Sequence, residues 1–405
     1  MNHNFTSEKL LPVHKRFDLI FDKGKGVYLY GNKKKFLDFG AGIAVNSLGH
    51  CHPKMVKAIC KQAKKLWHVS NIYNTGELNN YAEKLVKASK FADYVFFCNS
   101  GAESIECAIK MIRRHFFQKG QPEKNRIITF KGAFHGRTIA TISAASKPKY
   151  LEGFEPKLEG FDNVEFNNID AVKKAITKNT AGVLIEPIQG EEGIRVCSKK
   201  FLKELRELCD KNDILLALDE VQCGMGRTGK LFAHEFFEVI PDIVSTAKAI
   251  AGGFPLGACL ATKHSASGMT FGVHGTTYGG NPLAMAVANS VLDEMLKKNF
   301  LNKVQNNGQL LKNILIEIKN KYPNIIDEIR GEGLMIGIKI NEKFENNLVV
   351  KKFIENGLLT VPAGQNVIRI LPPLIIEKKH ILKATKIIDN SLNNFQKNIN
   401  IVIAH

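Results

Sequence analysis

The chain is predicted to be an α/β protein centred on a mostly parallel sheet with helices on both faces. Two stretches and their surroundings predict it. The run ILLALDEVQCG, residues 214–224, is unbroken apolar until it ends in Asp219. A run this short, bounded by polar residues, reads as a strand buried on both faces of a parallel sheet. The run DIVSTAKAIAGG, residues 242–253, repeats the design with the opposite charge, leading to Lys248 and a glycine pair. Around both, strand-like and helix-like segments alternate through the middle of the chain, the order that builds parallel sheets.

In open α/β sheets, ligands sit beyond the carboxyl ends of the strands. Asp219 and Lys248 are therefore expected at the ligand edge. A carboxylate held there needs a cationic partner, because burying it alone is costly. One acid and one amine, each at a strand end, suggest a site for a cofactor with a ring cation and an aldehyde. Alone, Asp219 also fits a helix N-cap, and Lys248 a solvated surface lysine.

Composition narrows the class. A length of 405 residues allows two domains, and a hydrophobic share of 44% is ordinary for a soluble enzyme. No apolar run approaches the roughly 18 residues of a membrane span. Met1–Glu8 lacks the apolar core of a signal peptide, so a cytoplasmic location is expected. The eight cysteines form no CxxC pair, which argues against zinc and for buried thiols. The net charge of +18 raises a nucleic-acid partner. The lysines, however, are dispersed, as in KKAITKN (173–179) and LKNILIEIKNKYPN (311–324), and no arginine stripe with interleaved aromatics occurs. The charge is read as a genomic bias on a solvated surface that favours anionic substrates and cofactors, with no nucleic acid and no membrane as partner.

From the start of the chain, DKGKGVYLYGNKKKFLDFGAG (22–42) alternates apolar residues around Gly31-Asn32, a hairpin signal. Pro53 opens a helix with Met55, Ile59 and Ala63 at helical spacing. His50 and His52 have no third ligand spaced to join them, so a structural role is preferred over a metal. YVFFCNSGAESIECAIKMIRRH (94–115) reads as a strand over Tyr94–Cys98 and a helix from Glu103, with Ser100, Gly101 and Ala102 at the turn. Small residues and free N–H groups at a helix start can bind phosphate, although Ser-Gly before a helix is also a common cap. AGVLIEPIQGEEGI (181–194) supplies a strand over Val183–Ile185 that aims Glu186 at the edge that holds Asp219. A long helix is expected from Pro282, crossing into a smaller domain.

Two of these stretches carry a family resemblance. LALDEVQCGMGRTG (216–229) followed by STAKAIAGGFPLGA (245–258) is similar to the signature of the class III aminotransferases, which use pyridoxal 5'-phosphate. The resemblance covers essentially the whole chain and implies fold type I. It implies a large domain over 61–282, and a smaller α+β domain formed by 1–60 and 283–405. By the same resemblance Lys248 is the Schiff-base lysine and Asp219 the partner of the pyridinium nitrogen. A carboxylate there keeps the ring protonated, and a desolvated lysine becomes a usable nucleophile.

The resemblance extends residue by residue. Ser100, Gly101 and Ala102 match the phosphate cup. Phe134, in RIITFKGAFHGRT (126–138), matches the aromatic stacked on the cofactor ring, although a core phenylalanine is also open. By the resemblance Val221 would cover the other ring face and Gln222 would reach the ring hydroxyl. Arg137 matches the residue that binds a substrate α-carboxylate, and a planar guanidinium suits that task. Glu186 matches a glutamate paired with an arginine of the C-terminal domain, here Arg369 in VIRILPPL (367–374). In FGVHGTTYGGNPLAMAVA (271–288), Thr277 matches a hydroxyl given to the neighbouring subunit's phosphate, and Thr276 a pocket residue, implying a homodimer with shared sites.

Within the family, DFGAGIAVNSLGHCHP (38–53), HVSN (68–71), FHGRT, HGTTYGGNPLA and RGEGLMIG resemble the acetylornithine and succinyldiaminopimelate branch. That implies transfer of the terminal amino group of N2-acetyl-L-ornithine to 2-oxoglutarate, with N-succinyl-diaminopimelate as a further donor. Ornithine δ-aminotransferases tend to carry a tyrosine in the early segment. Here Gly40–Ala44 has none, which fits an acylated amine better. Aminobutyrate aminotransferase and a noncatalytic cofactor-binding protein are the remaining alternatives. A nicotinamide dehydrogenase is set aside, because no GxGxxG directly joins the end of a strand to the start of a helix.

Overall fold

The computed structural model describes residues 9–403, with side chains described through residue 397. The Met1–Glu8 stretch, weighed above as a signal peptide, lies outside the described residues. A seven-stranded sheet occupies the centre, in the order Tyr94–Cys98, Gly257–Ala261, Ile243–Thr246, Leu215–Asp219, Thr180–Ile185, Arg126–Phe130, Phe161–Val164. Gly257–Ala261 runs antiparallel to both its neighbours, and the other pairings are parallel. Every residue of Thr180–Ile185, Leu215–Asp219, Ile243–Thr246 and Gly257–Ala261 is buried, as uninterrupted apolar runs require.

Register aligns the strand ends. Asp219 pairs with Ser245 and Leu218 with Ile185, so the segments carrying Glu186, Asp219 and Lys248 leave the sheet at one edge. The helix Gly101–Gln118 starts at the same edge. It begins two residues earlier than its sequence suggests, because Ser100 serves as N-cap and its Oγ accepts from Glu103 N at 3.2 Å. Its buried face, with Ile105, Ala108, Ile112 and Phe116 at helical spacing, lies on the sheet.

The ends of the chain share a second sheet. Phe21–Lys25, Tyr28–Gly31 and Lys34–Asp38 form a meander that Leu358–Leu359 joins in parallel. Its tight turn is Asn32-Lys33, with φ of 48° and 58°, one residue later than expected. Gly31 is the last strand residue, where a side chain would collide with the Ile20 carbonyl. A third, antiparallel sheet joins Ile326–Glu332, Met335–Ile340, Val367–Ile370 and Val361–Ala363. The helix from Pro282 ends at Met295, and a separate helix, Phe300–Lys321, leads into that third sheet. His50 Nε2 lies 2.7 Å from Asp38 Oδ2, so this histidine has a structural partner. No helix among the described residues is long and apolar enough to cross a membrane.

Candidate active site

A cavity of about 300 Å³ opens at the carboxyl edge of the large sheet. Ser100, Gly101, Ala102, Phe134, Glu186, Asp219, Val221, Gln222 and Lys248 all line it. Its volume is at the lower end of ordinary ligand pockets. The first turn of Gly101–Gln118 leaves the amides of Gly101 and Ala102 without helical partners, a ready site for an anion. A side chain at Gly101 would force Val221 to shift, since an added Cβ would stand 2.8 Å from Val221 Cγ1.

Asp219 is buried at the end of its strand. Its partner is an imidazole, not a lysine or arginine: His135 Nδ1 donates to Asp219 Oδ2 at 2.8 Å. The other oxygen accepts from Val221 N at 3.0 Å. His135 is itself buried, and its Nε2 has no hydrogen-bond partner among the described residues. The carboxylate is thus anchored from within the core, ready to face a cationic ring.

Lys248 opens a short 3-10 turn after Ile243–Thr246 with φ of 46°. A non-glycine residue in that region stores on the order of 1–3 kcal/mol and persists where its surroundings over-determine it. Burial pulls the amine below its ordinary value. Glu191, Asp219 and Glu186 oppose the fall, and Arg369 adds to it. The result is an amine more often neutral, and so more nucleophilic, than a surface lysine.

Glu186 does not pair with Arg369, contrary to expectation. Its Oε2 accepts from Phe134 N at 2.9 Å and its Oε1 from Gly190 N at 3.4 Å, so both oxygens turn into neighbouring loops. Burial, then the charge of Asp219, pushes it well above the usual carboxylate range. Arg369 instead meets Glu191, with Nη1 to Oε1 at 2.6 Å and Nη2 to Oε2 at 3.3 Å. The reason is the small ribbon Ile188–Gln189/Arg195–Val196, whose turn carries Glu191 across to the third sheet, where Gly364 N donates to its carbonyl at 2.9 Å. Burial would raise the Glu191 carboxyl, but the charge and hydrogen bonds of Arg369 win and hold it below the ordinary value. Gln222 Oε1 accepts from Arg369 Nη1 at 3.2 Å, tying the pair to the Asp219 loop.

The remaining expected residues lie around the cavity and do not line it. Arg137 is exposed, with its guanidinium 4.0 Å from the centre of the Tyr150 ring and 5.7 Å from that of Phe134. It forms no ion pair among the described residues. Thr276 Oγ1 accepts from Gly279 N at 3.1 Å, and Thr277 is exposed beside it.

The family profile described as "Aminotransferase class-III" matches residues 12–392.

The chain belongs to the class III aminotransferases.

A curated relative, the acetylornithine aminotransferase of Agrobacterium fabrum, is 57% identical over 367 residues, covering 90% of this chain and 91% of that protein. Among solved structures, an N-acetylornithine aminotransferase from Stenotrophomonas maltophilia superposes with TM-score 0.83 at 38% identity, covering 94% of this chain and 97% of that one. An ornithine aminotransferase from Toxoplasma gondii superposes with TM-score 0.92 at 31% identity, covering 95% and 93%. These are pyridoxal-phosphate-dependent transferases of fold type I, and the chain is an aminotransferase of that architecture.

Dependence on pyridoxal phosphate is a property of this aminotransferase family, and the cavity fits such a cofactor. It offers an anion cup, a buried carboxylate, an amine with a lowered pKa, and Phe134 and Val221 as apolar walls. Two residues of this aminotransferase site escape sequence reasoning. His135 adjoins Phe134 in the FHGRT motif, and Glu191 lies in QGEEG beside a second acid. The only local signal for either is residue type.

Proposed function

We propose that this aminotransferase moves the terminal amino group of N2-acetyl-L-ornithine to 2-oxoglutarate, giving N-acetyl-L-glutamate 5-semialdehyde and L-glutamate. The Arg369–Glu191 ion pair, joined to the cavity through Gln222, carries the proposal. Acetylornithine brings one carboxylate, remote from the reacting amine. 2-Oxoglutarate brings a second, beside its reacting carbon. An arginine already neutralised by a glutamate accepts the first substrate without an unpaired charge. The same arginine, once Glu191 swings away, binds the extra carboxylate of the second. Arg137, cationic and without an ion pair among the described residues, is suited to the remote carboxylate in both cases. The names of the relatives support the same substrates.

Pyridoxal phosphate, when bound, supplies the carbonyl that takes the amine and the ring that takes up an electron pair from the substrate carbon. Ser100, Gly101 and Ala102 would hold its phosphate, and Phe134 and Val221 its ring faces. Asp219, steadied by His135, would keep a proton on the ring nitrogen, and Gln222 would reach the ring hydroxyl. The Lys248 Nζ would attach the cofactor and then move the proton at the reacting carbon.

The working unit in this proposal is a homodimer with shared sites. Trp67, Ile72, Tyr73, Phe271 and Tyr278 are strongly exposed large apolar side chains. Asn71 Nδ2 ties their two segments together by donating to Thr276 O at 2.9 Å and Gly279 O at 3.2 Å. A patch of this kind supports an interaction surface, and Thr277, which is exposed within it, would give its hydroxyl to a partner's phosphate.

Comparing kcat/KM for acetylornithine, succinyl-diaminopimelate and free ornithine tests the substrate. The acetylated donor is expected to lead ornithine by tenfold or more, since Gly40–Ala44 offers no tyrosine hydroxyl to a free α-amine. Equal or better use of free ornithine overturns the proposal.

A further inference from the structure

The turn at residues 190–194 carries two acids in succession, and they divide between two partners. Glu191 holds Arg369. Glu192 goes elsewhere: its Oε2 accepts from Lys147 Nζ at 2.6 Å. Lys147 stands between the short helices Ile139–Ala145 and Pro148–Leu151. Its Nζ is 5.7 Å from the centre of the Tyr150 ring, and the Arg137 guanidinium lies 4.0 Å from the same ring. The pair therefore ties the turn of Glu191 to the segment of Arg137. It is the one hydrogen bond or ion pair among the described residues between residues 190–194 and residues 137–151.

Glu192 is held along its length. A Cβ added at Gly132 would stand 2.9 Å from its Cγ, and one added at Gly364 would stand 3.3 Å from its Oε2. Two glycines thus shape the slot it occupies, and Lys147 fixes its end. The backbone of the turn is held from the third sheet alone: Gly364 N donates to Glu191 O at 2.9 Å and Arg330 Nε to Gly193 O at 2.7 Å. Lys147 supplies the opposing tie, one residue from the side chain that has to swing.

We propose that Lys147 and Glu192 are a positioning pair: their bond sets the pose in which Glu191 meets Arg369, and so the ease with which a second substrate carboxylate displaces Glu191. The inference rests on the release of Arg369 by Glu191 proposed above. Neither Lys147 nor Glu192 lines the cavity, so neither is assigned a contact with substrate. Their side chains are 19% and 26% exposed, so water screens the bond in part, and breaking it should change substrate preference by about two- to fivefold. The charges alone would act differently. Removing the Lys147 cation disfavours an incoming carboxylate, and removing the Glu192 anion favours it. Loosening the turn favours it in both cases, which separates positioning from a field effect.

The test uses the cofactor-loaded enzyme in single turnovers, with glutamate and acetylornithine as separate amino donors. Lys147→Met and Glu192→Gln change the charge in opposite senses. Both are expected to raise the ratio of glutamate to acetylornithine about two- to fivefold, through tighter apparent binding of glutamate at an unchanged limiting rate. The double variant should rise no further than either single one, since both remove the same bond. Lys147→Arg should keep the parent ratio. In a Glu191→Ala background, where no carboxylate is left to position, neither substitution should shift the ratio. Ratios that move in opposite directions, additive effects in the double variant, or a shift that persists in Glu191→Ala each overturn the proposal. If Glu191→Ala by itself leaves the ratio at the parent value, the release of Arg369 is wrong and the positioning pair falls with it. If Glu191→Ala raises the ratio and Lys147→Met does not, the pair alone is refuted.

Discussion

Replacing Glu191 by glutamine should turn the enzyme toward substrates with a second carboxylate. Glu191 holds Arg369 with two contacts, 2.6 and 3.3 Å. Arg369 is almost wholly buried, while about a quarter of the Glu191 side chain is exposed. Deleting one partner of a fully buried ion pair costs roughly 3–5 kcal/mol. The loss here is smaller, for three reasons. Glutamine keeps one acceptor oxygen, Arg369 keeps Gln222 Oε1 and Pro362 O, and the site is not closed to water. About 2 kcal/mol, the value of one hydrogen bond to a charged group, is the expected weakening. A substrate carboxylate then no longer displaces an anion, so its binding gains up to about 30-fold, at 1.4 kcal/mol per tenfold. Acetylornithine gains nothing, because it sends no carboxylate there. Single-turnover rates of each half-reaction should show the ratio of glutamate to acetylornithine rising about 10- to 30-fold. Arg369→Ala should instead damage the 2-oxoglutarate half-reaction selectively. A thermal-unfolding arm checks the same pair. The Glu191 carboxyl is lowered in the fold, so its contribution is present above the unfolded value of about 4.5 and is lost as pH falls through the folded one. Glu191→Gln should therefore lose less stability than the parent on acidification in that range. If Glu186→Gln shifts the ratio and Glu191→Gln does not, the assignment of the switch is wrong.

Three other outcomes are expected. Lys248→Ala should abolish transamination, and borohydride reduction of the parent should label Lys248 in a peptide map; label on another lysine refutes the assignment. In the apo protein, the rate at which Lys248 captures an aldehyde should rise with pH at a midpoint below the ordinary 10.5, and Glu191→Gln should move it further down, since Glu191 opposes the fall; a midpoint at or above 10.5 contradicts the burial argument. His135→Phe removes a hydrogen bond to the buried Asp219 carboxylate, worth roughly 1.5–3 kcal/mol, so cofactor affinity should fall tenfold or more while His135→Gln recovers part of it; unchanged affinity in His135→Phe would falsify the anchoring role.

Much of the site was legible before any coordinates. The apolar runs ending in Asp219 and before Lys248 are local patterns, and a strand buried on both faces has few other ways to be written. The Ser-Gly-Ala turn ahead of Glu103 belongs to the same kind of signal, since capping is decided within a few residues. The rest depended on distance through the chain. Glu186 and Glu191 are both acids on one short loop, and nothing in residue type says which of them meets Arg369. The turn of the Ile188–Gln189/Arg195–Val196 ribbon decides it, by sending Glu191 outward and leaving Glu186 to the amides of Phe134 and Gly190. His135 is a similar case, because only the packing of its loop over the sheet turns Nδ1 onto Asp219. Local periodicity determines which elements form and what stands at their ends. Side-chain direction and the closure of long loops determine which of those ends touch, and both exist only once the sheets are assembled.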